Sequence, residues 1–426
     1  MSRLSVARPR AILTGEAPQP PAACASLRRG LRLLAIAPTP FFGDYGCHVR
    51  ILEELRALHA RGHTGLLCTY PYGRAVPGLA VRRAPRPPGH WHARPGSSRH
   101  KLYLDALLAC SALPALATYR PDVVHGHLHE GALIGYLLSR LARRPLVLDF
   151  QGSMTAEMLD HGFLRPGSRW YRPLRRLEEL INRLADAVVT STRHGAELLC
   201  REFGCPARRI TVVPDGVNCA HFAPPPPASA RAARVAALRQ RLGLPPGTPV
   251  VVYLGLLAEY QGLSHLLEAA RRVLAVEPDV RFLLLGYPGQ ERYRARAEAL
   301  GIAPRVHFPG RVPYEQAPDY LALGDVAVAP KLSATEGNGK VLNYMAMALP
   351  VVAFATPVNR ELLGELGLYA PPGDAAALAH RLLEVLRAPA AARARGLALR
   401  ARAARLFSWE ASAARLEQVY RRVLGA

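Results

Sequence analysis

Residues 325–356 read DVAVAPKLSATEGNGKVLNYMAMALPVVAFAT. A short apolar run, DVAVAPKL, leads into a loop with Glu336, Gly337 and Gly339, then into a stretch of helical spacing around KVLNYMAMA. After Pro350 comes a second apolar run, LPVVAFAT. Strand, glycine loop, helix and strand in succession are the unit of a parallel sheet, because parallel neighbours need a crossover connection. The glycines let backbone amides turn toward a ligand, and the helix start presents unpaired N–H groups at the positive end of its dipole. Phosphate fits there, with Lys331 or Lys340 as counter-charge, while Glu336 accepts hydrogen bonds from ligand hydroxyls. A group that joins phosphate to a polyol is a sugar nucleotide. From these residues alone, a plain turn into a buried helix is the alternative.

Composition draws attention to the lysines. The chain has 426 residues and 55 Lys plus Arg, yet lysine stands only at 101, 331 and 340, so the remaining 52 are arginine. Two of the three lysines fall in the quoted stretch. In a chain that uses arginine almost everywhere, lysine at 331 and 340 points to a place for a compact ammonium, which the planar guanidinium does not replace.

The same alternation extends in both directions. Upstream, LRLLAIAPTP, TGLLCTYP, PDVVHGH, PLVLDFQG, ADAVVTST and ITVVPDG read as strands, with helices at CHVRILEELRALHARG and HEGALIGYLLSRLARR. The proline run in NCAHFAPPPPASARAARVAALRQRLG cannot join a sheet and reads as a linker followed by one helix. The pattern restarts at VVVYLGLL and continues through VRFLLLGY and RVHFPGRV into the quoted stretch. The expected fold is α/β, with two tandem doubly wound Rossmann-like domains facing across a cleft where the ligand sits, at the carboxyl ends of the strands. The expected divisions are a disordered lead-in over 1–29, a first domain over 30–219, a linker and helix over 220–248, a second domain over 249–405 and a final helix over 406–426.

Bulk properties narrow the function. The formal charge of +23 suggests an anionic partner. Residues 55–104 hold eight arginines and Lys101 without one acidic residue, and RRAPRPPGHWHARPGSSRHK within them adds Trp91 and three histidines. That composition suits a basic loop at an anionic membrane surface, and a merely solvated loop fits equally. Nucleic acid binding is a third reading without a supporting motif. No window of eighteen apolar residues lacks a charge, and the N-terminus lacks a signal-peptide core, so a cytoplasmic protein, peripheral to the membrane at most, is expected. The seven cysteines are odd in number and read as reduced thiols.

Glu336, Gly337, Asn338 and Gly339, followed by NYMAMALPVVA, resemble the donor-binding segment of family 4 glycosyltransferases, retaining enzymes of the GT-B fold. The resemblance runs from about Leu31 to the C-terminus. PFFGDYGCHVRILEELRALHARGH is similar to the family's first glycine loop and helix, and FSWEASAARLEQVY to its final crossing helix. It implies transfer of a sugar from a nucleotide diphosphate to an acceptor hydroxyl on a cell-envelope glycan, glycolipid or polysaccharide, without a metal or other cofactor. Donor contacts then fall to Gly43, Gly46, Lys331, Gly337, Asn338, Gly339 and Asn343, and catalytic contacts to Glu336, Lys340 and His127. Acceptor contacts fall to Gln151, Gly152 and Glu130. A metal site at His125, His127 and His129 is the less favoured reading of those histidines.

The departures from the family pattern define the open question. Asn343 stands where the second of two glutamates is expected, Leu256 and Gln261 stand where an arginine and a lysine usually meet the diphosphate, and Gln151 replaces a histidine. Glutamine cannot serve as a general base, so the proton goes to the leaving phosphate or to a neighbour such as His127, His129 or Glu130. Lys331 and Lys340 are the expected replacements for the lost cations. The rival reading is an inactive GT-B-shaped scaffold that binds a sugar nucleotide or glycan.

Overall fold

A computed structural model of the chain describes residues 29–88, 100–333 and 335–425. The expected lead-in, apart from residue 29, and the Trp91 part of the basic segment lie outside the described residues. Strands β1 (Arg32–Ala37), β2 (Thr64–Thr69), β3 (Ala80–Arg83), β4 (Val123–His127), β5 (Leu146–Phe150), β6 (Ala187–Thr190) and β7 (Ile210–Val212) form a seven-stranded sheet in the order β3-β2-β1-β4-β5-β6-β7. Strands β8 (Val250–Leu254), β9 (Arg281–Leu285), β10 (Val306–Gly310), β11 (Val326–Ala329), β12 (Val351–Phe354) and β13 (Leu368–Ala370) form a six-stranded sheet in the order β10-β9-β8-β11-β12-β13. Each strand pairing is parallel. These are two doubly wound, Rossmann-like sheets in the GT-B arrangement.

The central strands explain themselves chemically. LVLDF of β5 and RFLLL of β9 are buried along their whole length, as parallel strands with helices on both faces must be. The two strands that the sequence pattern misses, β3 and β13, are short edge strands with partly exposed residues, where no continuous apolar run is required.

Each sheet reverses its order between its first and fourth strand, β1 beside β4 and β8 beside β11. The loops that leave these four strands diverge to opposite faces, which opens a crevice at the carboxyl end of each sheet. The quoted stretch is one of the four: β11, the loop 330–338, the helix Gly339–Ala346 and β12.

The last helix, Trp409–Leu424, follows the second sheet in sequence but packs on the first. Ser408 caps it by accepting from the Ala411 amide, Ser412 Oγ donates to the Pro214 carbonyl at 2.7 Å, and the Glu417 carboxylate meets Arg61 at 2.7 Å. The helix Lys101–Thr118 has the length and mean hydropathy, 1.2, of a membrane span, but it carries Lys101 and Asp105, as the sequence expectation of no uncharged apolar window requires. Within this fold its Leu104, Leu108, Ala112 and Ala115 enter the core of the first sheet.

The described part of 55–104 differs from the expected basic loop, because it contains β3 beside the expected β2 and several of its arginines serve the fold. Arg83 donates to the carbonyls of Phe41, Tyr70, Tyr72 and Arg74, Arg56 pairs with Glu53, and Arg61 pairs with Glu417.

Candidate active site

The crevices of the two sheets share one cleft of about 360 Å³. Its C-terminal wall comes from the loops after β8 and β11. Lys331 is buried and holds the loop closed on itself, donating to Glu336 Oε2 and to the Gly337 carbonyl, both at 2.7 Å. Asn338 precedes the helix Gly339–Ala346 without capping it, its Oδ1 accepting from no helix N–H, while its side-chain amide donates to Asn359 Oδ1 at 2.7 Å. The first N–H groups of that helix therefore have no side-chain acceptor and face the cleft.

Lys340 lies at the start of the same helix and crosses to the β8 loop. Its ammonium donates to Gln261 Oε1 at 2.6 Å and to the Tyr253 hydroxyl at 3.1 Å, and sits 4.4 Å from the Tyr253 ring centre. It passes so close to Gly255 that a Cβ there would lie 2.7 Å from Nζ. Burial first, then the neighbouring Lys331, push the Lys340 pKa well below its usual value, while Glu336 opposes the shift. Of the two lysines, one is engaged by Glu336 and the other stands beside Gln261.

The N-terminal wall is built on a buried charge network. Arg50 Nε donates to both carboxylate oxygens of Asp149 at 3.1 Å, and its Nη atoms reach Glu54 at 2.9 Å and Asp215 at 2.6 Å. Asp149 also meets His127 Nδ1 at 3.0 Å and accepts from the Gln151 amide at 2.7 Å. Burial alone would raise the Asp149 pKa, but Arg50 and His127 outweigh it and hold the carboxyl well below the usual range. The Gln151 amide is thus turned inward and its carbonyl oxygen is left for the cleft.

Glu54, His125, His127 and Asp149 bring ligand-type atoms within 4.8 Å of one another. The Arg50 guanidinium already stands against both carboxylates, so the negative charge of the cluster is met from within the chain. His129 does not alternate with the other two: β4 ends at His127, and His129 lies on the helix Leu128–Ala142, 3.6 Å from Glu178.

Opposite walls touch directly. A Cβ on Gly152 would lie 3.1 Å from Glu336 Cγ, an approach that a larger residue could make only if one wall gave way. Tyr287 donates to the Gly43 carbonyl at 2.5 Å and Asp44 pairs with Arg311 at 2.7 Å. Burial pushes Asp44 up, but Arg311, the Tyr314 amide and Arg74 together leave its pKa below the usual value.

Among the expected site residues, Gly46, Glu130, Gln151, Gly152, Lys331, Glu336, Gly337, Asn338, Gly339, Lys340 and Asn343 line the cleft. Two do not. His127 is buried behind Gln151 against Asp149, so it cannot reach an acceptor as a base. Gly43 touches the second domain through its carbonyl, while its amide donates to His48 Nδ1 at 2.8 Å, leaving no N–H for a phosphate. Sequence reasoning missed Lys101, Glu157, His161, Asp215 and Tyr287, which line the cleft from separate elements. No local spacing marks them; only the tertiary fold brings them together.

Residues 45–216 match the family described as glycosyl transferase 4-like domain, and residues 248–388 match glycosyl transferases group 1. The chain is 32% identical to the 2-deoxystreptamine N-acetyl-D-glucosaminyltransferase of Streptomyces fradiae, over 80% of this chain and 82% of that protein. The chain belongs to glycosyltransferase family 4. This glycosyltransferase is also 32% identical to the D-inositol 3-phosphate glycosyltransferase of Xylanimonas cellulosilytica, over 89% of its own length and 93% of the relative's. Its fold is similar to that of sucrose-phosphate synthase from Thermosynechococcus elongatus, with a TM-score of 0.78 at 22% identity, covering 93% of this chain and 99% of that one.

Proposed function

We propose that this glycosyltransferase takes its sugar from a nucleotide diphosphate and transfers it, with retention, to a hydroxyl of a small polyol or of a lipid or glycan that carries one. The observation that carries this reading is the position of Lys340. Its ammonium lies between the uncapped helix start at Gly339 and the β8 loop at Gly255 and Gln261, where a diphosphate meets a cation and free amides together. Burial disfavours the charged amine, and an arriving diphosphate reverses that preference.

In this reading Glu336 and Asn343 hold sugar and ribose hydroxyls. The bond from the anomeric carbon to phosphate breaks with its electron pair passing to the diphosphate, the acceptor oxygen bonds to that carbon, and the acceptor proton passes to the leaving phosphate oxygen. Gln151 orients the acceptor through its carbonyl and takes no proton, and His127 acts only through Asp149. No metal or other cofactor takes part in this proposal.

The two relatives named for 2-deoxystreptamine and D-inositol 3-phosphate carry the names of cyclitols, and a cyclitol or its conjugate is the acceptor class we favour over the glycan, glycolipid or polysaccharide expected from the sequence. Work at the cytoplasmic face is part of the proposal. Membrane contact through residues 55–104 has weaker support, because Arg56, Arg61, Arg74 and Arg83 already have partners within the chain. The test is a nucleotide-sugar hydrolysis screen on the purified protein. Release of sugar from one donor supports the proposal, and none from any uridine, guanosine or adenosine diphosphate sugar counts against it.

A further inference from the structure

The two relatives, equal in identity, are named for acceptors of opposite charge, an amine-bearing cyclitol and a phosphorylated one. Identity does not choose between them, but the cleft does. We infer that the N-terminal wall selects a cationic acceptor, a polyol ring that carries ammonium groups, and that Glu157 is the residue that reads the charge. This inference rests on the glycosyl-transfer reading above.

The chain carries a formal charge of +23, yet the N-terminal wall of the cleft is acidic among the described residues. Its charged members are Asp44, Arg50, Lys101, Glu130, Glu157 and Asp215. Most are already paired. Asp44 is held by Arg74 and Arg311, Arg50 by Asp149, Glu54 and Asp215, and the Lys101 ammonium lies 2.6 Å from Glu130. Glu157 is different. Its one ion-pair contact among the described residues is His161 Nδ1 at 3.7 Å, and burial lowers the pKa of that histidine, so the ring brings no charge near neutral pH.

The carboxyl of Glu157 feels Glu336, Glu130, Lys101 and Lys331 around it. Burial, then Glu336, push its pKa up to about 8. A phosphate placed here would meet Glu157 and Glu130, while the two lysines in reach, Lys101 and Lys331, are already paired with Glu130 and Glu336. An ammonium would meet an open carboxylate, while the ring hydroxyls find the free Gln151 carbonyl. Binding the cation also draws Glu157 into its ionised form, so the complex forms with release of a proton at pH 7.

Isothermal calorimetry in saturating UDP tests this with three probes of one ring size: 2-deoxystreptamine, myo-inositol and D-inositol 3-phosphate. The expected result is 2-deoxystreptamine bound at least about tenfold tighter than either other probe, with proton release visible as a buffer-dependent heat. Glu157→Gln should erase most of that ratio and the proton release, with Tm showing that the variant folds. Tightest binding of the phosphorylated probe, no binding of any probe, or an unchanged ratio in Glu157→Gln overturns the inference. Donor hydrolysis measured on the same preparation separates the two claims: hydrolysis without amine preference sinks the charge selection alone, and amine preference without hydrolysis leaves it standing while the transfer reading falls.

Discussion

Lys340 donates to Gln261 across 2.6 Å, although 79 positions separate them in the chain. In the family pattern a lysine is expected at position 261 itself. Here the ammonium comes from the facing helix and ends beside the same loop, with glutamine as its anchor. In the proposed site, the cation that the family resemblance implies at position 261 is carried by a different element.

The first prediction tests that exchange. Lys340→Ala should lower donor hydrolysis by about 10²-fold to 10³-fold, the usual cost of removing one charge-stabilising donor from a preorganised site. Adding Gln261→Lys to Lys340→Ala should recover about tenfold or more, whereas Gln261→Lys alone, which places two ammonium groups together, should impair the enzyme. Equal rates for the single and double variants would show that position 261 and Lys340 do not share one role.

Gly152 and Glu336 give a second prediction. A methyl at Gly152 would stand 3.1 Å from Glu336 Cγ, tighter than ordinary contact, so one wall must shift. Gly152→Ala should reduce kcat/KM by about tenfold or more, since small misplacement of reacting groups is costly, with little change in Tm. Wild-type kinetics would mean that the walls part freely during turnover.

The Arg50 network governs stability. Arg50→Leu leaves Asp149 and Glu54 buried with their main cation gone, a change on the order of 3–5 kcal/mol. Urea unfolding should show the midpoint falling steeply, and an unchanged midpoint would place the network outside the folding unit.

Much of this fold is legible before any coordinates. Runs such as LVLDF and RFLLL admit few structures other than central parallel strands, and the glycines and Pro350 around the quoted stretch mark where its helix starts and stops. The edge strands Ala80–Arg83 and Leu368–Ala370 are not legible, because the first is partly exposed and the second is only three residues long, so neither needs a distinctive pattern. In the cleft, Glu336 and the loop after it are readable, since one local segment supplies amides, charge and hydroxyl acceptor together. Glu157, Lys101 and Asp215 are not, because they sit on two helices and the loop after β7, three elements that only the tertiary fold brings together. His127 shows the reverse error: a histidine at a strand end has the chemistry of a base, but its register in β4 turns it toward Asp149 and away from the cleft.

The docking of the last helix carries a pH signature. Burial raises the Glu417 pKa, but the guanidinium groups of Arg421 and Arg61 outweigh it and bring it down to about 2, from an ordinary 4.5. A depressed carboxyl pKa contributes stability above its unfolded value, and that contribution disappears as pH falls from about 4.5 through about 2. The Tm difference between wild type and Glu417→Gln should accordingly be largest above pH 5 and shrink toward zero near pH 2. A constant difference would assign the effect to packing.

The most direct test of the central claim, that the loop and helix start at 331–343 hold a sugar nucleotide through Lys340, is calorimetric titration with UDP, GDP and ADP. At least one should bind with a Kd in the micromolar range, and Lys340→Ala and Glu336→Ala should be compared as their UDP-sugar complexes, the first weakened by about tenfold or more. Binding of none of the three nucleotides, or affinity unchanged in Lys340→Ala, would contradict the account.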